Sequence, residues 1–296
     1  MRTGRGLAVA GAVLAVLVVV GVGTAQAGAR HGRHPAPAPP SVPQAPASPP
    51  PPAAFAPPAA FAPPPVNAGF DYQIGEPYRP PAGVSVVSRD HDATPAAGLY
   101  NICYVNGFQT QTEAADWWQR THADLILRRA GKPVVDGDWN EMLLDIGTAA
   151  KRDALARIVD GWIDQCAAKG FRGLEIDNLD SYSRSKGLLK AADALAYARL
   201  LADHAHVKGL AVGQKNTVEL ATAARGTFDF AIAEECADYS ECQGYIDAYG
   251  DHVIVIEYDT THFRQACAGY GTKLSIVRRD RNVTAPGSGS YAFASC

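Results

Sequence analysis

The stretch Gly173-Leu174-Glu175-Ile176-Asp177-Asn178-Leu179-Asp180-Ser181-Tyr182 decides the fold. It has the pattern of a short buried strand that runs out into a loop carrying carboxylates, an amide and a phenol. Carboxylates beside apolar strand residues are costly to bury unless they are paired or hydrogen-bonded, so a cluster of them at the carboxyl end of a strand marks a site. The same grammar recurs in Leu210-Ala211-Val212-Gly213-Gln214-Lys215-Asn216, in Phe228 to Glu235, and in Val253 to Asp259, each an apolar run followed at once by polar groups. Several strands therefore point their polar ends toward one face.

Between these strands lie helical patterns. Leu155, Ile158, Val159, Trp162, Ile163 and Cys166 recur at spacings of three and four, which predicts a helix over about Arg152 to Lys169 with Gly170 as its stop. A second helix is predicted over about Leu189 to His206. Strand and helix in alternation imply a parallel sheet covered by helices. Strands are expected near Tyr72–Ile74, Leu99–Tyr104, Leu143–Ile146, Leu174–Asp177, Ala211–Gln214, Phe228–Ala233, Val253–Glu257 and Leu274–Val277, and eight such strands make a (β/α)₈ TIM barrel. On this count Val84–Val87 and Leu125–Leu127 are loop or helix pieces; a doubly wound open sheet is the competing architecture. No glycine-rich phosphate loop follows the first strand, which argues against a nucleotide cofactor.

Residues 1–29 carry Arg2 and Arg5, an apolar run from Leu7 to about Val22, and Ala25-Gln26-Ala27 as a small-residue cleavage site. This is the pattern of a secretory signal peptide, with a single membrane anchor as the rival. Residues 30–66 are dominated by proline and alanine and predict a disordered linker. Residues 67–296 then form one domain, long enough for a single large core. With a net charge of −3 and scattered basic residues, the chain has no electrostatic footprint for nucleic acid. All six cysteines follow the export signal, which predicts disulfides, and Cys236 with Cys242 would pin the loop after Glu234-Glu235; the pairing of Cys103, Cys166, Cys267 and Cys296 stays open. No Cys-x-x-Cys occurs and the eight histidines stand mostly in linker or helix contexts, so no metal site is expected, and the hydrolytic reading below needs no cofactor.

On a barrel, Asp177 closes the fourth strand and Glu235 the sixth, which places both on the rim where substrate binds. Two rim carboxylates suit glycoside hydrolysis, in which one attacks or stabilises an oxocarbenium-like centre and the other protonates the departing oxygen. Glu175 and Glu234 are the competing choices, because successive strand residues face opposite ways and Glu175 shares the parity of Asp177.

The run Gly98 to Asn106, with Asp177 to Tyr182, Gly213-Gln214-Lys215-Asn216, Glu234-Glu235-Cys236 and Ile256-Glu257-Tyr258, resembles glycoside hydrolase family 114. The resemblance covers about Phe70 to Cys296. It implies a TIM barrel with endo-α-1,4-polygalactosaminidase activity and a catalytic aspartate and glutamate at the ends of the fourth and sixth strands. Those map onto Asp177 as nucleophile and Glu235 as acid/base. Ile176 stands where many relatives are expected to have proline.

A galactosamine-rich polysaccharide with free amines is cationic, so its cleft should be acidic and aromatic. Asp90, Asp138, Asp180, Glu257 and Asp259 are candidates for the acidic part, and Trp139, Tyr182 and Tyr258 for stacking on sugar faces. Lys215 and Asn216 end the fifth strand, where Lys215 would keep Asp177 ionised and both would reach substrate. Arg278, Arg279 and Asp280 follow the last strand, and with Arg89-Asp90 they are expected to close the barrel through ion pairs. The expected protein is therefore a secreted or envelope-associated monomer, with no stable membrane insertion once the signal is removed. A lectin-like surface protein on the same fold is the alternative.

Overall fold

The computed structural model of the chain describes residues 61–296. The signal-peptide reading of residues 1–29, and the linker reading up to residue 60, lie outside the described residues.

Eight parallel strands form the barrel: β1 (Gly69–Gln73), β2 (Val84–Asp90), β3 (Tyr100–Asn106), β4 (Gly173–Asp177), β5 (Ala211–Lys215), β6 (Phe230–Glu234), β7 (Val253–Glu257) and β8 (Ser275–Arg279). They pair in that order, and β9 (Phe293–Ser295) adds to β8 in the antiparallel sense. The ring closes where β1 lies beside β8. Asn67 Nδ2 donates to the Leu274 carbonyl at 2.9 Å, and Arg279 Nη1 meets Asp71 Oδ1 at 2.9 Å with both side chains fully buried. Arg279 is thus the member of the Arg278–Asp280 group that ties the last strand to the first.

The helices are α1 (Ala115–Thr121), α2 (Ala149–Lys169), α3 (Ser181–Arg184), α4 (Ala191–Val207), α5 (Cys242–Tyr249) and α6 (Thr260–Tyr270). Thr148 caps α2 by accepting from the Lys151 N–H, and Gly170 ends it at φ 91°, a left-handed backbone that suits glycine. The stripe Leu155, Val159, Ile163 and Cys166 on α2 packs with Leu174 and Ile176 of β4 in the layer between barrel and helices. No helix among the described residues is long and apolar enough to cross a membrane.

Strand parity organises the interior. Phe70 and Tyr72, Tyr100 and Ile102, Phe230 and Ile232, and Ile254 and Ile256 fill the barrel lumen, while Leu174, Val212, Ala231 and Val255 face the helices. A Cβ on Gly213 would come within 2.7 Å of the Phe230 ring, so the glycine is what lets that ring fill its layer.

Two strand expectations are corrected. Val84–Val87 belongs to β2, a full barrel strand, whereas Leu143–Ile146 makes only isolated antiparallel bridges, Gln109 with Leu143 and Ile126 with Leu144. Leu143, Leu144 and Ile146 are buried, but within the insertion that joins β3 to α2 rather than in the ladder. The ordinal positions of Asp177 and Glu235 are unaffected, since one strand replaces another before β4.

Cys103 of β3 bridges to Cys166 of α2, Cys236 to Cys242, and Cys267 of α6 to Cys296. Residues 61–66, at the end of the proline-rich segment, rest on the barrel. Phe61 stacks on His206 with ring centroids 4.3 Å apart, and Tyr100 donates to the Ala62 carbonyl at 2.7 Å.

Candidate active site

At the carboxyl ends of the strands is a pocket of about 430 Å³ lined by groups from β1, β3, β4, β5, β6 and the β3–α2 insertion. Lys215, only 2% exposed, stands at its base. Its Nζ lies 3.2 Å from Glu175 Oε1, 3.2 Å from Asp177 Oδ1 and 3.3 Å from Glu234 Oε2, and donates to the Tyr72 hydroxyl at 3.0 Å. Strand parity explains the convergence: Glu175 and Asp177 on β4, Lys215 on β5 and Glu234 on β6 all continue the inward-facing series of their strands. The Asp177 and Glu234 oxygens on that one ammonium are at most about 6.5 Å apart, the length of the two contacts end to end.

The charges sort by environment. Burial alone would lower the Lys215 pKa, but Asp177, Glu234 and Glu175 together hold it well above the ordinary lysine value, so the ammonium is permanent. Burial would raise Asp177, yet the Lys215 charge, the Tyr104 hydroxyl at 2.8 Å and the Asn178 N–H at 2.8 Å outweigh it and hold the carboxyl below its usual range. Glu175, fully buried one layer below, moves the other way because burial dominates; it accepts from Tyr72 at 2.8 Å and Ser88 at 2.6 Å. Of the two carboxyls on β4, Asp177 is the one that stays anionic at the pocket surface. Burial, then the neighbouring carboxylates, also push the Tyr104 and Tyr258 phenols well up, so both stay protonated and donate.

Glu234 is held from three sides. Oε1 accepts from the Tyr258 hydroxyl, Oε2 accepts from Asn216 Nδ2 at 2.9 Å, and Oε2 also faces Lys215. Asn216 sits at φ 51° and accepts the Glu234 N–H on its Oδ1 at 2.9 Å, so one residue fixes both backbone and side chain of this glutamate.

Glu235, expected as the partner of Asp177, does not line the pocket. The chain leaves β6 at Glu235 in a left-handed turn, φ 57°, which aims its side chain at Arg281, whose Nη2 is 2.6 Å from Oε1. The Cys236–Cys242 bridge follows directly and, as expected, pins that turn. Lys215, Asn216, Asp177, Asp138, Trp139, Asp180 and Tyr258 all line the pocket. Asp180 is held by Arg184 through contacts of 2.6 and 2.8 Å, and Trp139 stands 52% exposed at the mouth. Tyr182 turns away to Glu219 at 2.5 Å, Asp90 accepts from Gln111 in a neighbouring groove, and Glu257 and Asp259 lie outside the pocket.

Other wall groups were not singled out from the sequence: Tyr104, Asn178, Glu113, Asp136, Glu141 and Arg281. Burial pushes the Glu141 carboxyl up to about 7 even though Asn106 donates to it at 2.9 Å. Among the described residues, Asp90, His91 and Asp92 offer three potential metal-ligand atoms within 4.8 Å of one another, on the rim of the neighbouring groove and away from the lysine-centred cluster.

An ionised carboxylate and a second carboxyl close by, at the mouth of a barrel, are the equipment of a glycosidase. A model of glycoside-hydrolase family GH114 matches residues 50–296. The chain belongs to that family. This GH114 protein is a glycoside hydrolase, and its barrel is similar to that of two solved relatives. One is Aspergillus fumigatus Ega3, in a crystal structure with galactosamine, at 21% identity and a TM-score of 0.64 over 80% of this chain and 98% of that one. The other is the glycoside hydrolase domain of PelA from Pseudomonas aeruginosa, at 18% identity and a TM-score of 0.51 over 76% and 98%. At these identities the likeness is one of fold. No curated protein matches the chain.

Proposed function

We propose that this GH114 protein cleaves α-1,4-galactosaminidic bonds in a galactosamine-rich polysaccharide, with Asp177 as nucleophile and Glu234, rather than its neighbour Glu235, as acid/base. The observation that carries the reading is the pair of carboxylates held on Lys215, with their facing oxygens no more than about 6.5 Å apart. Retaining glycosidases hold their carboxyls about 5–5.5 Å apart, and inverting ones need roughly 6.5–9.5 Å to admit a water between them. The short bridge through one ammonium favours retention.

In the first step Asp177 forms a bond to the anomeric carbon as the glycosidic bond breaks, and Glu234 gives its proton to the departing oxygen. In the second, Glu234 takes a proton from water, and the resulting hydroxide displaces Asp177 from the sugar. Lys215, Tyr104 and the Asn178 N–H keep Asp177 anionic for the attack. Asp138, Glu141 and Glu113 on the pocket wall suit a sugar that carries an ammonium. The Glu235–Arg281 pair offsets the guanidinium that would otherwise face that charge, and the same Arg281 lies over the Tyr258 ring at 5.0 Å. Three disulfides fit an oxidising compartment, so the reading includes export and action outside the cell or in its envelope, as a monomer.

The test is digestion of α-1,4-linked galactosamine polymer by wild type and by Asp177→Asn, with products followed by mass spectrometry and the new reducing end by NMR. The reading predicts oligosaccharides of retained α configuration from wild type alone. No release from wild type, or β products first, would overturn it.

A further inference from the structure

A groove of about 870 Å³ adjoins the catalytic pocket, and Ile74, Gly75, Gln111 and Glu113 belong to the walls of both. It is twice the size of the pocket and differs from it in chemistry. Three indoles contribute to it, Trp117, Trp118 and Trp162, with Asp90 and Asp92 on its rim. Trp118 is buried, but Trp117 is 39% exposed and held edge-on against Trp118 and His122, with ring centroids 5.0 and 4.8 Å away. An exposed indole braced by two rings is a rigid platform, since its rotamer freedom is already spent.

A second feature points to a ligand. Gln109 lines the groove, is 1% exposed, and donates from Nε2 to Asp136 Oδ2 at 3.2 Å, while its buried Oε1 has no partner. A buried acceptor left unpaired costs about 1–3 kcal/mol, and nearly all such atoms in folded proteins are satisfied. Aromatic faces for the apolar side of a pyranose, carboxylates for ammonium groups and an orphan carbonyl for a hydroxyl or ammonium donor are the complement of one ligand class, a chain of amino sugars.

We propose that this groove binds the part of the galactosamine chain that runs on from the cleaved bond, passing over the Gln111–Glu113 edge and stacking on Trp117. The inference rests on the proposed function, which supplies the polymer entering the pocket. It adds that cleavage draws on a subsite outside the pocket, built around Trp117. Charge complementarity and the walls shared with the pocket select this occupant.

Wild type and Trp117→Ala are compared on α-1,4-linked galactosamine oligomers of increasing length, with kcat and KM measured separately. Binding of the same oligomers is measured by calorimetry in an Asp177→Asn background with and without Trp117→Ala, and near-ultraviolet circular dichroism checks the fold. For wild type, kcat/KM should rise with length beyond the few units the pocket holds. Trp117→Ala should lose about tenfold on long chains, mostly in KM, and progressively less as the chain shortens. Gln109→Leu should flatten the length dependence in the same way. Equal losses at every length, or none, overturn the inference while leaving the hydrolase reading standing. Absence of both cleavage and binding for every galactosamine oligomer overturns both. Oligomer binding that ignores Trp117 and Gln109 overturns the groove alone.

Discussion

Lys215 Nζ lies 3.2 Å from Asp177 Oδ1 in a site where the lysine is almost wholly buried, and that contact sets the charge of the aspartate. Lys215→Met removes the cation from among three carboxyls. Asp177 is held low chiefly by this charge acting against burial, so its pKa rises, and the acidic limb of the kcat/KM profile should move to higher pH. Breaking a buried ion cluster from one side costs roughly 3–5 kcal/mol, a loss that shrinks at lower pH as the abandoned carboxyls take up protons. An unmoved acidic limb in a folded variant would show that Lys215 does not tune Asp177.

Glu257 gives the fold a pH dependence of its own. Burial raises its carboxyl to about 7 from an ordinary 4.5, and Oε2 has no partner while Oε1 accepts from the Ala237 N–H at 2.9 Å. A carboxyl raised on folding favours the protonated form, so its contribution is fully present below about 4.5 and is lost as the pH climbs through 7. Glu257→Gln keeps the acceptor and removes the charge. Thermal denaturation should show the variant more stable than wild type at pH 8, by on the order of 1–2 kcal/mol, with the gain vanishing near pH 4.5.

The disulfides should separate stability from activity. Cys103–Cys166 closes 63 residues and Cys236–Cys242 only 6. In the chain-entropy account the longer loop contributes about 4 kcal/mol and the shorter about 2. Replacing Cys236 and Cys242 by serine should therefore lower the melting temperature less than replacing Cys103 and Cys166. It should nevertheless lower kcat more, because the turn it frees begins at Glu235, next to Glu234. Urea titration and rate measurements on the two double variants decide this.

Strand parity made much of this protein legible before its structure. The barrel follows from short apolar strands separated by amphipathic helices, and Lys215 at the end of β5 reads directly as a neighbour of Asp177. The exchange of Leu143–Ile146 for Val84–Val87 has a plain cause: each is three apolar residues broken by one polar one, Asp145 or Ser85, and such short runs look alike whether they enter a ladder or pack under an insertion. The inward direction of Glu234 was also accessible. Phe230 and Ile232 face the lumen, so the same period carries inward to Glu234 and stops there. What sequence does not carry is the left-handed turn at Glu235, or the way residues 107–148 fold back to bring Glu113, Asp138 and Glu141 to the pocket wall. Those placements depend on contacts between parts of the chain tens of residues apart.

Glu234 and Glu235 are adjacent in the chain, and the rates of galactosamine-polymer cleavage by Glu234→Gln and Glu235→Gln, measured side by side, tell which of them does the chemistry. Glu234→Gln should lose about 10³-fold in kcat, while Glu235→Gln, which breaks only the contact to Arg281, should stay within a few-fold of wild type. The reverse order, with Glu235→Gln inactive and Glu234→Gln active, would contradict the proposed role of Glu234.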